Sequence, residues 1–158
     1  MILFHGSNSE ITSIDFARCK PYKDFGCGFY LTEIEEQARQ MARRTVSIYR
    51  GEPVVSRFEF DEIAAGNDPL LSIKRFDEPS EEWALFVIAN RSREQKHPVH
   101  QYDIVIGPVA DDTIATLFRN FDDGIIDLPM LVNGLKYKKV SSQYLFHTQQ
   151  AVAYLKKL

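Results

Sequence analysis

Apolar residues in this chain come in short runs whose period switches between two and about 3.6, so strands and helices should be interleaved. Residues 1–4 form an uninterrupted apolar run, expected as a buried strand ending at His5-Gly6-Ser7. An irregular segment follows, with Ile11, Ile14 and Phe16 as anchors and Pro21 and Gly26 as punctuation. Residues 29–31 make a second short strand. Thr32 with Glu35 three positions later reads as a capping box. Ala38, Met41, Ala42 and Thr45 then recur at helical spacing, which predicts a helix over 33–49, stopped by Gly51 and Pro53.

Residues 54–60 alternate, with Val54, Ser56, Phe58 and Phe60 on one face of a strand. Residues 64–69 read as a turn, and 70–76 fit no single period. Ser80 can cap a helix over 81–93 that turns Trp83, Phe86 and Val87 inward. A strand over 102–107 ends at Pro108, and Asp111 or Asp112 caps a helix whose core face is Ile114, Leu117, Phe118 and Phe121. A short helix over 128–135, a last strand over 143–147 and a terminal helix started by Thr148, with Ala151, Val152 and Leu155 inward, complete the pattern. There is no internal repeat and no linker, and 158 residues suffice for one domain, 1–158, with a sizeable core. Strands and helices mix without regular βαβ alternation, which favours an α+β fold.

Charge and composition narrow the function classes. Nineteen Lys and Arg against 22 Asp and Glu leave a formal net charge of −3, without the basic excess of most nucleic-acid binders. No apolar stretch approaches the ~20 residues of a membrane span, and the first residues lack the pattern of a secretion signal. Cys19 and Cys27 form no CxxC pair and have no histidine at metal-ligand spacing, so no metal is expected. Two reduced thiols in a cytoplasmic protein is the favoured reading, with a disulfide between them as the other.

Three features can carry chemistry. His5-Gly6-Ser7 closes a strand with two hydrogen-bonding side chains around an accessible backbone, although a strand closing into a turn looks the same. Gly26-Cys27-Gly28-Phe29-Tyr30 brings two glycines onto a strand, the mark of a close approach to a ligand or to another segment of the chain. It lacks the third glycine of a dinucleotide fingerprint. Gln143 opens the last strand after a polar run; its amide does not titrate but can hold a hydroxyl. His97, His100 and His147 fit loop or strand-surface roles better than a metal site, Asp111 and Asp112 read as helix caps, and Asp122-Asp123-Gly124 as a turn.

In this order the three features resemble the ADP-ribosyltransferase superfamily, in the branch whose signature is His, Tyr and Glu. More specifically the chain is similar to a bacterial family, domain-of-unknown-function family 3990. That likeness runs through Asp24 to Thr32, Trp83 with Asn90-Arg91, residues 103–112, and Gln143 to Leu155. The resemblance implies a split antiparallel sheet with flanking helices, and NAD as substrate without a metal. His5, Tyr30 and Gln143 would be the catalytic set. His5, Gly6, Ser7, Gly28 and Tyr30 would bind NAD, with His5 on ribose hydroxyls, the Gly6 backbone on the nicotinamide amide and Tyr30 stacked on the nicotinamide ring.

Two departures qualify this. Gln143 stands where active members usually carry Glu, keeping a hydrogen bond but losing the charge, worth on the order of 10²–10³ in rate at such sites. A helper carboxylate elsewhere would be one remedy. The second aromatic wall of the nicotinamide site falls near Gln40 or Met41. The expectation is therefore mono-ADP-ribosyl transfer to a macromolecule, protein or nucleic acid. The resemblance adds a toxin or effector role, with a small neutralising partner protein. A silent NAD- or ADP-ribose-binding module and an NAD glycohydrolase are the alternatives.

Overall fold

The computed structural model describes all residues, Met1–Leu158. A single curled sheet of seven strands carries six α-helices. In chain order the strands are β1 (Ile2–Ser7), β2 (Phe29–Thr32), β3 (Val54–Phe60), β4 (Ile73–Arg75), β5 (Ile104–Pro108), β6 (Ser142–Phe146) and β7 (Leu155–Lys157). The helices are α1 (Glu35–Tyr49), α2 (Glu62–Asn67), α3 (Glu81–Arg91), α4 (Asp112–Asp122), α5 (Leu128–Leu135) and α6 (Gln149–Val152). The spatial order is β4-β5-β6-β2-β1-β3-β7. Every neighbouring pair is antiparallel except β4 and β5, so the expected antiparallel core gains one parallel edge.

Alternation along the strands sends side chains to two faces, and each face has its own core. Leu3, Phe29, Leu31, Phe58, Phe60, Ile104 and Phe146 pack on the first, beneath Ala65 of α2 and Ala151 of α6. Ile11 and Ile14 close over it from the irregular segment, as expected, while Phe16 lies in a 3-10 turn and is only half-buried. Val105 and Leu145 face the other way, against Trp83 and Val87 of α3, Ile114 and Phe118 of α4, and Leu131 and Leu135 of α5. Helix α1 lies on the same face farther along, over β1. A Cβ on Gly6 would fall 1.8 Å from the Ala38 carbonyl oxygen and 2.8 Å from the Ala42 nitrogen.

The caps at Ser80, Asp111 and Thr148 form as expected, each side chain accepting a backbone N–H one turn on. Four expectations need correction. Thr32 does not cap α1: it is held in β2 opposite Phe4 and Gln143, so the helix starts later, at an uncapped Ile34. Glu35 pairs with Arg39 instead of reaching back. Residues 64–69 do not form a turn alone: 64–67 belong to α2, started by Asp61, whose carboxylate accepts from Ala64 N. The terminal helix lasts four residues; Leu155 then pairs with Phe60, because the open edge of β3 offers ladder partners that a last helical turn would not.

Candidate functional site

The strand carrying His5-Gly6-Ser7 and the strand carrying Tyr30 are neighbours, but the ladder between them consists of one pair, Phe4 with Thr32. It does not continue to Gly6 and Tyr30, so the sheet parts beside the histidine. His5 reaches across the parting, its Nδ1 2.7 Å from the Tyr30 carbonyl oxygen. That oxygen can only accept, so Nδ1 carries the hydrogen and Nε2 presents a lone pair with no protein partner. Burial holds the imidazole below its usual value, with Lys23 pushing the same way and the Tyr30 contact opposing. His5 is therefore neutral at physiological pH.

Strand register separates the three expected residues by face. Phe4, Thr32 and Gln143 are successive cross-strand partners and share a face; Tyr30, two residues from Thr32, shares it too. His5, next to Phe4, points to the other face, where its ring lies 4.4 Å from that of Phe29. Ser7, on the face of His5, is buried and turns its hydroxyl back to the Ser9 carbonyl.

Tyr30 is clamped by the loop that precedes its own strand. Its hydroxyl donates to the Gly26 carbonyl at 2.8 Å and accepts from Phe25 N at 3.0 Å. Burial pushes the phenol far above its ordinary value, so it acts as neither acid nor base near neutral pH. The glycines of this loop answer to protein neighbours. Gly26 has φ +89°, and a Cβ on it would meet Asn90 Oδ1 at 2.9 Å. A Cβ on Gly28 would fall 2.7 Å from the Phe146 carbonyl oxygen. The close approach visible in the sequence is an approach of chain to chain.

Around Gln143 lies a cluster that the sequence did not disclose. Gln143 Nε2 donates to Asp24 Oδ2 at 3.0 Å and to the Pro108 carbonyl at 3.1 Å. Asp24 Oδ1 accepts from Arg91 Nε at 2.8 Å and Nη2 at 2.6 Å. The Arg91 guanidinium lies 5.0 Å from the centre of the Phe118 ring. Beside it, Thr32 Oγ1 donates to Gln37 Oε1 and Gln37 Nε2 to Ser141 Oγ, which ties α1 to the entry of β6. Asp24 and Gln143 stand 119 positions apart. The sole sequence hint was an acidic residue leading the Phe25-Gly26 turn.

Other candidates resolve to structural roles. Gln40 and Met41 are exposed on α1. His100 is buried, contacting the Phe25 carbonyl through Nε2 and accepting from Tyr102 N at Nδ1. Burial lowers its pKa. His147 bonds the Cys27 carbonyl. A cavity of about 190 Å³, lined by Gly26, Cys27, Asn90, His97, His100 and His147, opens on this side; His5, Tyr30 and Gln143 do not line it. Cys19 and Cys27 are free thiols, raised by burial. No three His, Cys, Asp or Glu side chains come together as metal ligands, and no helix is long and apolar enough to cross a membrane.

The model of a family described as "protein of unknown function (DUF3990)" matches residues 1–157. The chain belongs to the DUF3990 family. No curated protein and no solved structure matches it. In this DUF3990 protein the site geometry and the chemistry of its side chains are what bear on function.

Proposed function

We propose that this DUF3990 protein binds NAD at the parting between β1 and β2 and transfers ADP-ribose from it to a macromolecular acceptor, on an ADP-ribosyltransferase-like fold. The observation that carries the reading is the single-pair junction of β1 and β2, with His5 bonded to the Tyr30 carbonyl across it. A sheet that opens between the His5-Gly6-Ser7 strand and the Tyr30 strand lacks ladder hydrogen bonds there, so a ligand lying between them can take backbone groups that a continuous ladder would have used, apart from the Tyr30 carbonyl held by His5.

Each side chain then has a chemical task. His5, neutral and hydrogen-bonded at Nδ1, offers Nε2 to a ribose hydroxyl. Tyr30, its hydroxyl already engaged, offers its ring face to the nicotinamide. Gln143 holds a hydroxyl of the ribose at the reacting carbon. The bond from that carbon to nicotinamide breaks with its electron pair leaving on nicotinamide; the cationic ribose is attacked by the acceptor's nucleophile, which gives up its proton.

Binding without turnover is the second reading. It is favoured by the neutral Gln143 and by the engagement of the nearest carboxylate, Asp24, with Arg91. Incubation of the purified protein with radiolabelled NAD and a cell lysate separates the readings. Label on protein or nucleic acid supports transfer, free ADP-ribose alone supports hydrolysis, and binding in calorimetry without either supports the silent module. His5→Ala or Tyr30→Ala should abolish whichever signal is seen, and retained activity in both would move the site elsewhere.

A further inference from the structure

An amide side chain has two hydrogens on one side and an acceptor on the other, so what surrounds it decides which way it works. Gln143 meets two groups that can only accept, the Asp24 carboxylate at 3.0 Å and the Pro108 carbonyl at 3.1 Å. Both hydrogens are consumed there, and Oε1 is left without a protein partner. Asp24 cannot readily turn away. Its other oxygen is gripped twice by Arg91, and the two side chains are only 17% and 33% exposed.

We propose that Asp24 is the positioning residue that makes Gln143 a one-way acceptor, its amide oxygen committed to a hydroxyl hydrogen on a sugar ring of the ligand. The identity of that sugar as the ribose of NAD rests on the function proposed above; the orientation of the amide does not. A hydrogen bond from an amide N–H to a carboxylate also polarises the amide and enriches its oxygen in negative charge. Part of what a glutamate would supply at this position is thereby relayed from Asp24 through the amide. Arg91 neutralises the pair as a whole, so the effect is directional rather than one of net charge.

The test is a square of variants: wild type, Asp24→Asn, Gln143→Glu and the double variant. In Asp24→Asn the new amide keeps its oxygen on Arg91 and turns its NH₂ to Gln143, which must reverse to accept from it and so presents a donor to the ligand. Loss of one hydrogen bond of this kind should weaken NAD binding in calorimetry about tenfold. In Gln143→Glu two carboxylates face each other at hydrogen-bond distance and must share a proton, so one pKa rises. Urea stability of that variant should fall as pH goes from 5 to 8 relative to wild type. In the double variant the new amide at position 24 can donate to the new carboxylate at position 143. The extra pH slope should vanish and NAD affinity should return to within about threefold of wild type, less the repulsion from the Pro108 carbonyl.

A Gln143→Glu protein with no added pH slope overturns the proposal, as does an Asp24→Asn protein that binds NAD as tightly as wild type, or a double variant that recovers nothing. If wild type binds neither NAD nor ADP-ribose, the functional reading fails by itself. The pH comparison then still decides the pairing: the slope present in Gln143→Glu and absent from the double variant supports it, and no slope overturns it.

Discussion

Tyr30 shows how a residue can look like a ligand wall in the sequence and also be a structural clamp. Its hydroxyl satisfies Phe25 N–H and the Gly26 carbonyl, holding the loop that delivers Asp24 to Gln143. Tyr30→Phe should therefore lower stability in chemical denaturation by about 1–3 kcal/mol, the usual consequence of leaving buried polar groups unpaired. If the ring alone serves the ligand, NAD binding at saturating protein stability should survive the change; a loss as large as that in Tyr30→Ala would assign the hydroxyl to the ligand instead. The aromatic character of this residue was legible from its place in the glycine-rich stretch. Its two hydrogen bonds were not, because they depend on a backbone turn with φ +89° at Gly26.

Among the elements, α1 and β1 approach each other at Gly6 so closely that a methyl group there has no room. Gly6 exists because the helix backbone at Ala38 and Ala42 lies against it, both alanines being buried and small for the same reason. Gly6→Ala puts a methyl into backbone that cannot yield locally, so the helix must shift. Destabilisation of at least the 1–3 kcal/mol typical of overpacking is expected, read as a fall in melting temperature. Gly66→Ala is the control with the opposite sign. It lies in α2 with nothing within 4 Å of a new Cβ, and replacing a helical glycine should add about 0.5–1 kcal/mol. The helical period of α1 was plain in the sequence, as were the caps of α3, α4 and α6, because such signals are local. The false capping box at Thr32 arose where the local signal met a competing demand, the place of Thr32 in the ladder between Phe4 and Gln143.

Over the whole molecule, Asp103 joins parts far apart in the chain. Its carboxylate accepts from Ser72 N at 2.8 Å and Ser72 Oγ at 2.9 Å, just before β4, and from Thr148 Oγ1 at 2.6 Å at the start of α6. Burial alone would raise its pKa, but the hydrogen bonds from Thr148 and Ser72 outweigh this and hold the carboxyl below the usual range. The stabilisation is therefore fully present above the unfolded-state value near pH 4 and is lost as pH falls through the lower folded value. Asp103→Ala should be less stable than wild type by about 1–3 kcal/mol at pH 7, and the gap should close only below about pH 4. Urea titrations at pH 7, 5 and 3 measure it; a gap that closed already at pH 5 would contradict the assignment.

Most of the strands and helices and the mixed architecture were readable from the chain, since periodicity and caps act over a few residues, whereas His5, Tyr30 and Gln143 stood out as candidates only through their order along the chain. Strand register was not. It turns His5 away from the face shared by Tyr30 and Gln143, and a shift of one residue would have reversed this. Nor could local pattern join Asp24, Arg91 and Gln143, whose meeting depends on a loop, a helix end and a strand brought together by two cores on opposite faces of the sheet. The character of each side chain belongs to the sequence. Which hydrogen of Gln143 goes where, and what its oxygen is left free to do, depends on neighbours supplied only by the packed fold.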